Sequence, residues 1–282
     1  MRLLTSAERR GGILPLNQSL ANGLTVRDEL KTKHPPARPV SNSALLKPAA
    51  VAPHFPTHPV LFDNITAQSI NTAAMQCQRS AGPSGMDSAA WQRLCCSLKG
   101  ASTDLCSALA LLARQLPTQL TDPAGLSALL ASRLIALDKC PGVRPIGVGE
   151  VSRGIIGKAI LQVIGEDIRE VAGARQLCAG QSAGVEAAVH AIRELFTRDD
   201  SQGVLMVDAA NAFNNINRQV ALLNIYQLCP SISTILTNTY RVPTDLFIDG
   251  EVLHSDEGTT GGPFGDGNVH PSHRTTCKRM QY

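Results

Sequence analysis

Val204-Leu205-Met206-Val207-Asp208-Ala209-Ala210-Asn211-Ala212-Phe213-Asn214 runs from four apolar residues into a carboxylate and then a polar segment. Residues 203–207 read as a short buried strand. Asp208 stands at its C-terminal end, where a rigid strand delivers a side chain to the domain surface. A carboxylate there is a hard oxygen ligand suited to Mg²⁺. In phosphoryl transfer, paired metal ions bind the attacking and leaving oxygens, and such carboxylates position them. The same position also suits a helix N-cap, since Asp at a strand-to-helix junction caps often. The pattern alone favours the cap.

Upstream of this stretch, helices are predicted at residues 65–79, 88–98 and 102–116, the last from Leu105, Leu109, Leu112 and Leu116. Residues 133–137 read as a strand, 138–143 as a polar turn, and Arg144-Pro145-Ile146 as the start of a returning strand. Helices follow at 150–164 and 182–197. Downstream, 217–227 and 231–240 read as helices, and Asp249-Gly250 between two apolar runs predicts a β-hairpin. Strands are few and scattered among helices, which is an α+β pattern.

The 282 residues allow one large domain or two small ones. With 43% hydrophobic residues a core is attainable, while 17% charged residues exclude a coiled coil and an acidic tail. The 26 basic and 23 acidic residues leave a charge of +3, so any nucleic-acid contact must come from local clusters. Eight cysteines show no C-x-x-C spacing, and several lie on apolar faces as small hydrophobes. That usage implies a reducing, intracellular compartment, nuclear or cytoplasmic. There is no signal-peptide pattern at the N-terminus, and the longest apolar run, residues 108–113, is too short to span a bilayer, so no membrane partner is expected. Seven of the 17 prolines fall within residues 34–59, which predicts an extended linker, and residues 1–58 as a whole read as a loosely ordered leader.

Asp208-x-x-x-Ala212-Phe213-Asn214 resembles motif A of reverse transcriptases, the RNA-directed DNA polymerases of retroelements. The resemblance makes Asp208 a catalytic metal ligand in a two-Mg²⁺ site. It makes Phe213 the aromatic under the sugar of the incoming nucleotide, disfavouring a 2′-hydroxyl. Phe213 as an ordinary core residue is the alternative. Three other segments are similar to the same family in the same order. Ala81-Gly82-Pro83-Ser84-Gly85-Met86-Asp87 looks like the motif that precedes the fingers. Leu134-Ile135-Ala136-Leu137-Asp138-Lys139 with Val143-Arg144-Pro145-Ile146 looks like the fingers hairpin, which would set Lys139 and Arg144 over the nucleotide triphosphate. Guanidinium suits that role because it is always charged and binds phosphate bidentately; read without the resemblance, both are solvated turn charges. Ala179-Gly180-Gln181-Ser182 looks like the step before motif A. Arg153, Lys158 and Arg169 follow the hairpin, where template-backbone contact and plain solvation are both open, solvation being the commoner. The implied partners are an RNA template, a DNA primer and a dNTP, and the implied architecture is a right-hand polymerase: fingers and an incomplete palm over residues 59–263, with the closest similarity to non-LTR-like elements.

The family pattern then breaks. Asp256-Glu257-Gly258-Thr259-Thr260 leads into motif B, whose Gln-Gly-x-Pro turn holds template and nucleotide, but Gly261-Gly262-Pro263 lacks the Gln. Gly262 and Pro263 are the remaining candidates for nucleotide binding. Motif C, the Asp-Asp pair that completes the metal site, does not follow; Asp199-Asp200 precedes motif A and cannot serve. Residues 264–282 show no periodicity and read as a disordered tail. Codons exist for residues 260–269 that, read one base later, give Gln-Gly-Asp-Pro-Leu-Ala-Met-Ala-Met-Tyr, a well-formed motif B. A frameshift near Thr260 is therefore expected, and with one metal-binding Asp the chain is expected to be inactive. A strand at 203–207 lacking its motif C neighbour would be an aggregation-prone edge. The alternative is a non-catalytic remnant that binds RNA or protein.

Overall fold

The computed structural model describes residues 12–46, 59–139, 142–173, 183–197 and 210–257. They fall into two compact units, one holding the described residues of 12–164 and 211–257, the other those of 165–210. The architecture is α+β, as predicted, with ten α-helices and a four-stranded mixed sheet among the described residues.

In the first unit, β1 (Ser132–Asp138) and β2 (Val143–Gly149) pair antiparallel from Ser132↔Gly149 to Asp138↔Val143. The hairpin β3 (Thr244–Ile248) and β4 (Glu251–Ser255) turns at Asp249 and Gly250, both at positive φ (47° and 80°). That is the requirement of the tight turn the dipeptide predicts. β3 joins β1 in parallel at Ser132↔Leu246 and Arg133↔Phe247, giving the order β2-β1-β3-β4. Beyond that short pairing, residues 12–14 take over the same side of β1: Leu14 N donates to Ala136 O (2.9 Å) and Asp138 N to Gly12 O (3.1 Å).

The period-2 alternation of the strands puts Leu134, Ala136, Val143, Leu246 and Ile248 on one face. The helix α1 (Val26–Thr32) covers it with Val26 and Leu30, one turn apart. Thr25 caps α1 by accepting from Asp28 N, and Asp28 and Glu29 complement the positive end of its dipole.

The remaining helices of this unit are α2 (Pro59–Phe62), α3 (Ala67–Met75), α4 (Ser88–Cys96), α5 (Gly100–Thr118), α6 (Pro123–Leu130), α7 (Val151–Ala172), whose residues from Gly165 count with the second unit, α9 (Arg218–Leu228) and α10 (Pro230–Tyr240). α3, α4 and α10 pack on α5, whose buried face is Ser102, Cys106, Leu109, Ala113 and Leu116. Residues three and four apart share that face. Cys77, Cys95, Cys106 and Cys229 are buried free thiols, and burial is the first cause pushing the Cys95 thiol up to about 12. They pack as small hydrophobes. In the second unit, α8 (Gly184–Phe196) carries Val185, Val189, Ile192 and Phe196 exposed along one side.

The leader reading needs correction within its described part. Residues 12–46 are not a loose extension: they supply an isolated bridge from Ile13 to Leu137 of β1, a capped helix and two fully buried core residues. A seven-residue helix is too short to show periodicity, and its burial comes from a sheet more than a hundred residues away. Leu30→Ala is expected to lower unfolding stability by about 2–5 kcal/mol, measured by urea titration, because it empties a fully buried site. A loose leader would leave stability unchanged.

Candidate functional site

The β1–β2 hairpin reverses direction between Lys139 and Gly142. Lys139 N donates to Gly142 O (3.1 Å), closing the turn, and Gly142 sits at φ 98°, a conformation that favours glycine. Strand alternation sends Val143 into the core and Arg144 to the opposite face, opposite Leu137 in register. Lys139 and Arg144 are both exposed at this end.

The loop at residues 81–87 docks on the root of the same hairpin. The Arg133 guanidinium donates to Ala81 O from both Nε (3.4 Å) and Nη2 (3.1 Å). Buried Glu150 accepts from Ser84 N (2.7 Å) and Ser84 Oγ (2.6 Å). A Cβ on Gly82 would lie 2.9 Å from the Glu150 backbone, so only glycine fits this approach. Asp87 then caps α4 by accepting from Ala90 N (2.9 Å). The hairpin and the loop thus form one clamped assembly. Sequence reasoning missed Glu150, whose partner lies 66 residues away.

Residues 211–217 form a second feature. Asn211 adopts φ 52°, and its carbonyl accepts from Asn214 N and Asn215 N (3.1 Å each), winding the 3₁₀ turn Ala212–Asn215. The turn buries Asn214 and turns Phe213 outward, 75% exposed, so Phe213 is not a core residue. Asn217 caps α9, accepting from Val220 N at 2.9 Å.

Behind that turn lies Glu257, 2% exposed. Its carboxylate accepts from Arg218 N (2.9 Å), Asn217 Nδ2 (3.2 Å) and Arg38 N (2.7 Å). Buried Arg218 donates to Val242 O (3.1 Å) and Ser255 Oγ (3.2 Å), and its guanidinium stacks over Tyr240 at 5.5 Å. Burial pulls the Arg218 pKa down, opposed by Tyr240, Glu257 and Asp256. A buried carboxylate and a buried guanidinium are each tolerated only with this density of partners.

Lys139 and Arg144 therefore share one hairpin end, whereas Phe213 projects from a different element. Asp208, Gly262 and Pro263 lie outside the described residues, as do the strand read at 203–207 and the step at 179–182. Among the described residues no group of three His, Cys, Asp or Glu side chains converges as a metal site. Of the helix charges, Arg153 and Lys158 depart from plain solvation, whereas Arg169 stays half-exposed on the surface. Arg153 is 3% exposed and donates to Leu130 O (3.1 Å). Lys158 Nζ donates to Gln76 O (3.1 Å), with burial as the main cause lowering its pKa. Arg169 pairs with Glu166 at 2.7 Å. Arg153 thus serves the interior and not a template. No described helix is long and apolar enough to cross a membrane.

No protein-family model matches the chain, and no curated protein matches it.

His34 lies next to this region and gives it a pH response. Its Nδ1 donates to Leu30 O (2.8 Å), while burial, and secondarily the Arg218 charge, hold its pKa below 6.5. The unfolded chain therefore takes up a proton at His34 before the folded chain does. Stability is unaffected above about pH 6.5 and falls as pH drops from there through the lower folded pKa. Urea titrations at pH 7.5 and 5.5 should show a smaller acid loss for His34→Asn than for the unaltered protein; equal losses would contradict this.

Proposed function

We propose that the chain is a reverse transcriptase-like domain, comprising fingers and part of a palm, that holds a primed RNA template and a deoxynucleoside triphosphate but does not by itself catalyse nucleotidyl transfer. The observation that carries the reading is the β1–β2 hairpin with Lys139 and Arg144 exposed together at one end, clamped at its root to the loop at residues 81–87. These are two of the four segments that resemble the polymerase family in order. Phe213, displayed on a turn and not packed inside, is in keeping with an aromatic that meets a nucleotide sugar.

On this reading the family's right-hand arrangement places Asp208 at the catalytic metal. In the family, two Mg²⁺ ions stabilise charge on the transferring phosphoryl group. The residues of this chain contribute the cationic hairpin, which would neutralise the triphosphate through charge-assisted hydrogen bonds. The Asp-Asp pair that the family uses as the second ligand set does not follow motif A in this sequence, which is why catalysis is left out. The alternative, an RNA-binding remnant without nucleotide recognition, shares the basic hairpin but not a role for Phe213.

Two assays test the reading. Binding of a dNTP with Mg²⁺ should weaken roughly threefold to tenfold in the Lys139→Ala, Arg144→Ala double variant, since each exposed charge is worth up to about 1 kcal/mol. Unchanged binding would remove the hairpin from the site. On a primed RNA template with dNTPs and Mg²⁺, no extension is expected. Robust incorporation abolished by Asp208→Ala would overturn the assignment of inactivity.

A further inference from the structure

The described part of the proline-rich leader does not stop at α1. It continues along the turn that displays Phe213 and touches it repeatedly. Lys33 O accepts from Asn211 Nδ2 (2.9 Å). Arg38 meets the turn from both its side chain and its backbone: Nη2 donates to Asn215 O, and Arg38 O accepts from Asn217 Nδ2 (2.7 Å). Arg38 N donates to the same Glu257 carboxylate that receives Arg218 N. Further on, the Asn224 amide holds the leader backbone just after the 3₁₀ turn Asn42–Ala44, accepting from Leu46 N (2.9 Å) and donating to Ala44 O (3.0 Å).

We propose that residues 33–46 are a strap that sets the conformation of residues 211–217, with Arg38 and Glu257 as its positioning residues. Three features support it. The contacts fall at Asn211, Asn215 and Asn217, the start, end and exit of the turn, and leave Phe213 between them exposed. Asn217 uses both ends of its amide, Oδ1 capping α9 and Nδ2 holding the strap, so the helix start and the strap are fixed by one side chain. Pro35, Pro36 and Pro39 lie in the strap. Proline fixes φ and needs no partner for a backbone N–H, so an extended strap forms at reduced entropic cost. The prolines that read as a linker thus stiffen a brace.

The strap rests on the proposed function only in its purpose. On that reading it would hold Phe213 ready for the sugar of the incoming nucleotide before the nucleotide arrives, an economy of ordering on binding. Its existence stands on contacts independent of any ligand.

Hydrogen exchange of the full chain, without nucleotide or nucleic acid, tests it. Glu257→Gln replaces an acceptor of three N–H donors by an amide; Arg38→Ala removes one guanidinium and nothing from the core. Both should raise exchange at the Asn214 and Asn215 amides about tenfold, roughly what one or two lost hydrogen bonds allow, while Ile135 in β1 keeps its protection. Arg38→Lys, which retains a donor, should recover part of the loss. A Phe213→Trp reporter in a Trp91→Phe background should show lower fluorescence anisotropy once Arg38→Ala is added. Turn amides that exchange as before in Arg38→Ala, or that rise only together with Ile135, would overturn the strap. Failure of dNTP binding would instead strike the polymerase reading and leave this result standing.

Discussion

Glu257 is a carboxylate in the interior whose oxygens accept from three N–H donors, with the Arg38 guanidinium as a counter-ion at 3.9 Å. An ionised group so placed costs several kcal/mol unless its acceptors are filled, and a missing donor is felt in full. That requirement ties together three stretches far apart in sequence: the leader at Arg38, the turn and helix start at Asn217 and Arg218, and the chain leaving β4. Arg218 repeats the logic with the opposite sign, linking the same helix start to Val242 and Ser255. The placement of the Phe213 turn depends on these two buried charges more than on apolar packing, since the turn itself buries only Asn214.

Glu150 supplies a parallel constraint at the other feature. It ties the loop at residues 81–87 to the root of the β1–β2 hairpin through Ser84, and Arg133 closes the other side. Both loops that matter to the functional reading are therefore held by buried carboxylates on neighbouring segments. Preorganisation of this kind lowers the ordering cost when a ligand arrives. The net charge of +3 says little about local charge; Lys139 and Arg144, exposed at one hairpin end, say more.

Local signals carried through to the structure where they were complete in themselves. The helix α5, with Leu109 and Leu116 of its expected stripe buried, and the Asp249-Gly250 turn lie within a few residues of their cause. The antiparallel return at Val143–Gly149 was legible because the apolar run and the turn adjoin it. What was not legible is non-local. Val26 and Leu30 look unpatterned until a sheet meets them, and Arg38, Glu150 and Glu257 look like solvated charges until their partners close on them. Arg153 misled for the same reason: a cation on a helix reads as surface, yet this one caps the carbonyl of Leu130 inside. Of the candidate site, sequence placed Lys139 and Arg144 together and marked Phe213. Nothing local announced that Phe213 would be displayed by a proline-stiffened strap.

The functional account turns on one feature of the coding sequence. If the proposed polymerase reading holds, an intact motif B is to be sought in the nucleotides beyond the codon for Thr260. Sequencing that locus and its transcript is the direct measurement. The account predicts that the frame one base later reads Gln-Gly-Asp-Pro followed by an apolar helix and, downstream, an Asp-Asp pair between apolar residues. A locus in which neither alternative frame encodes these would contradict it.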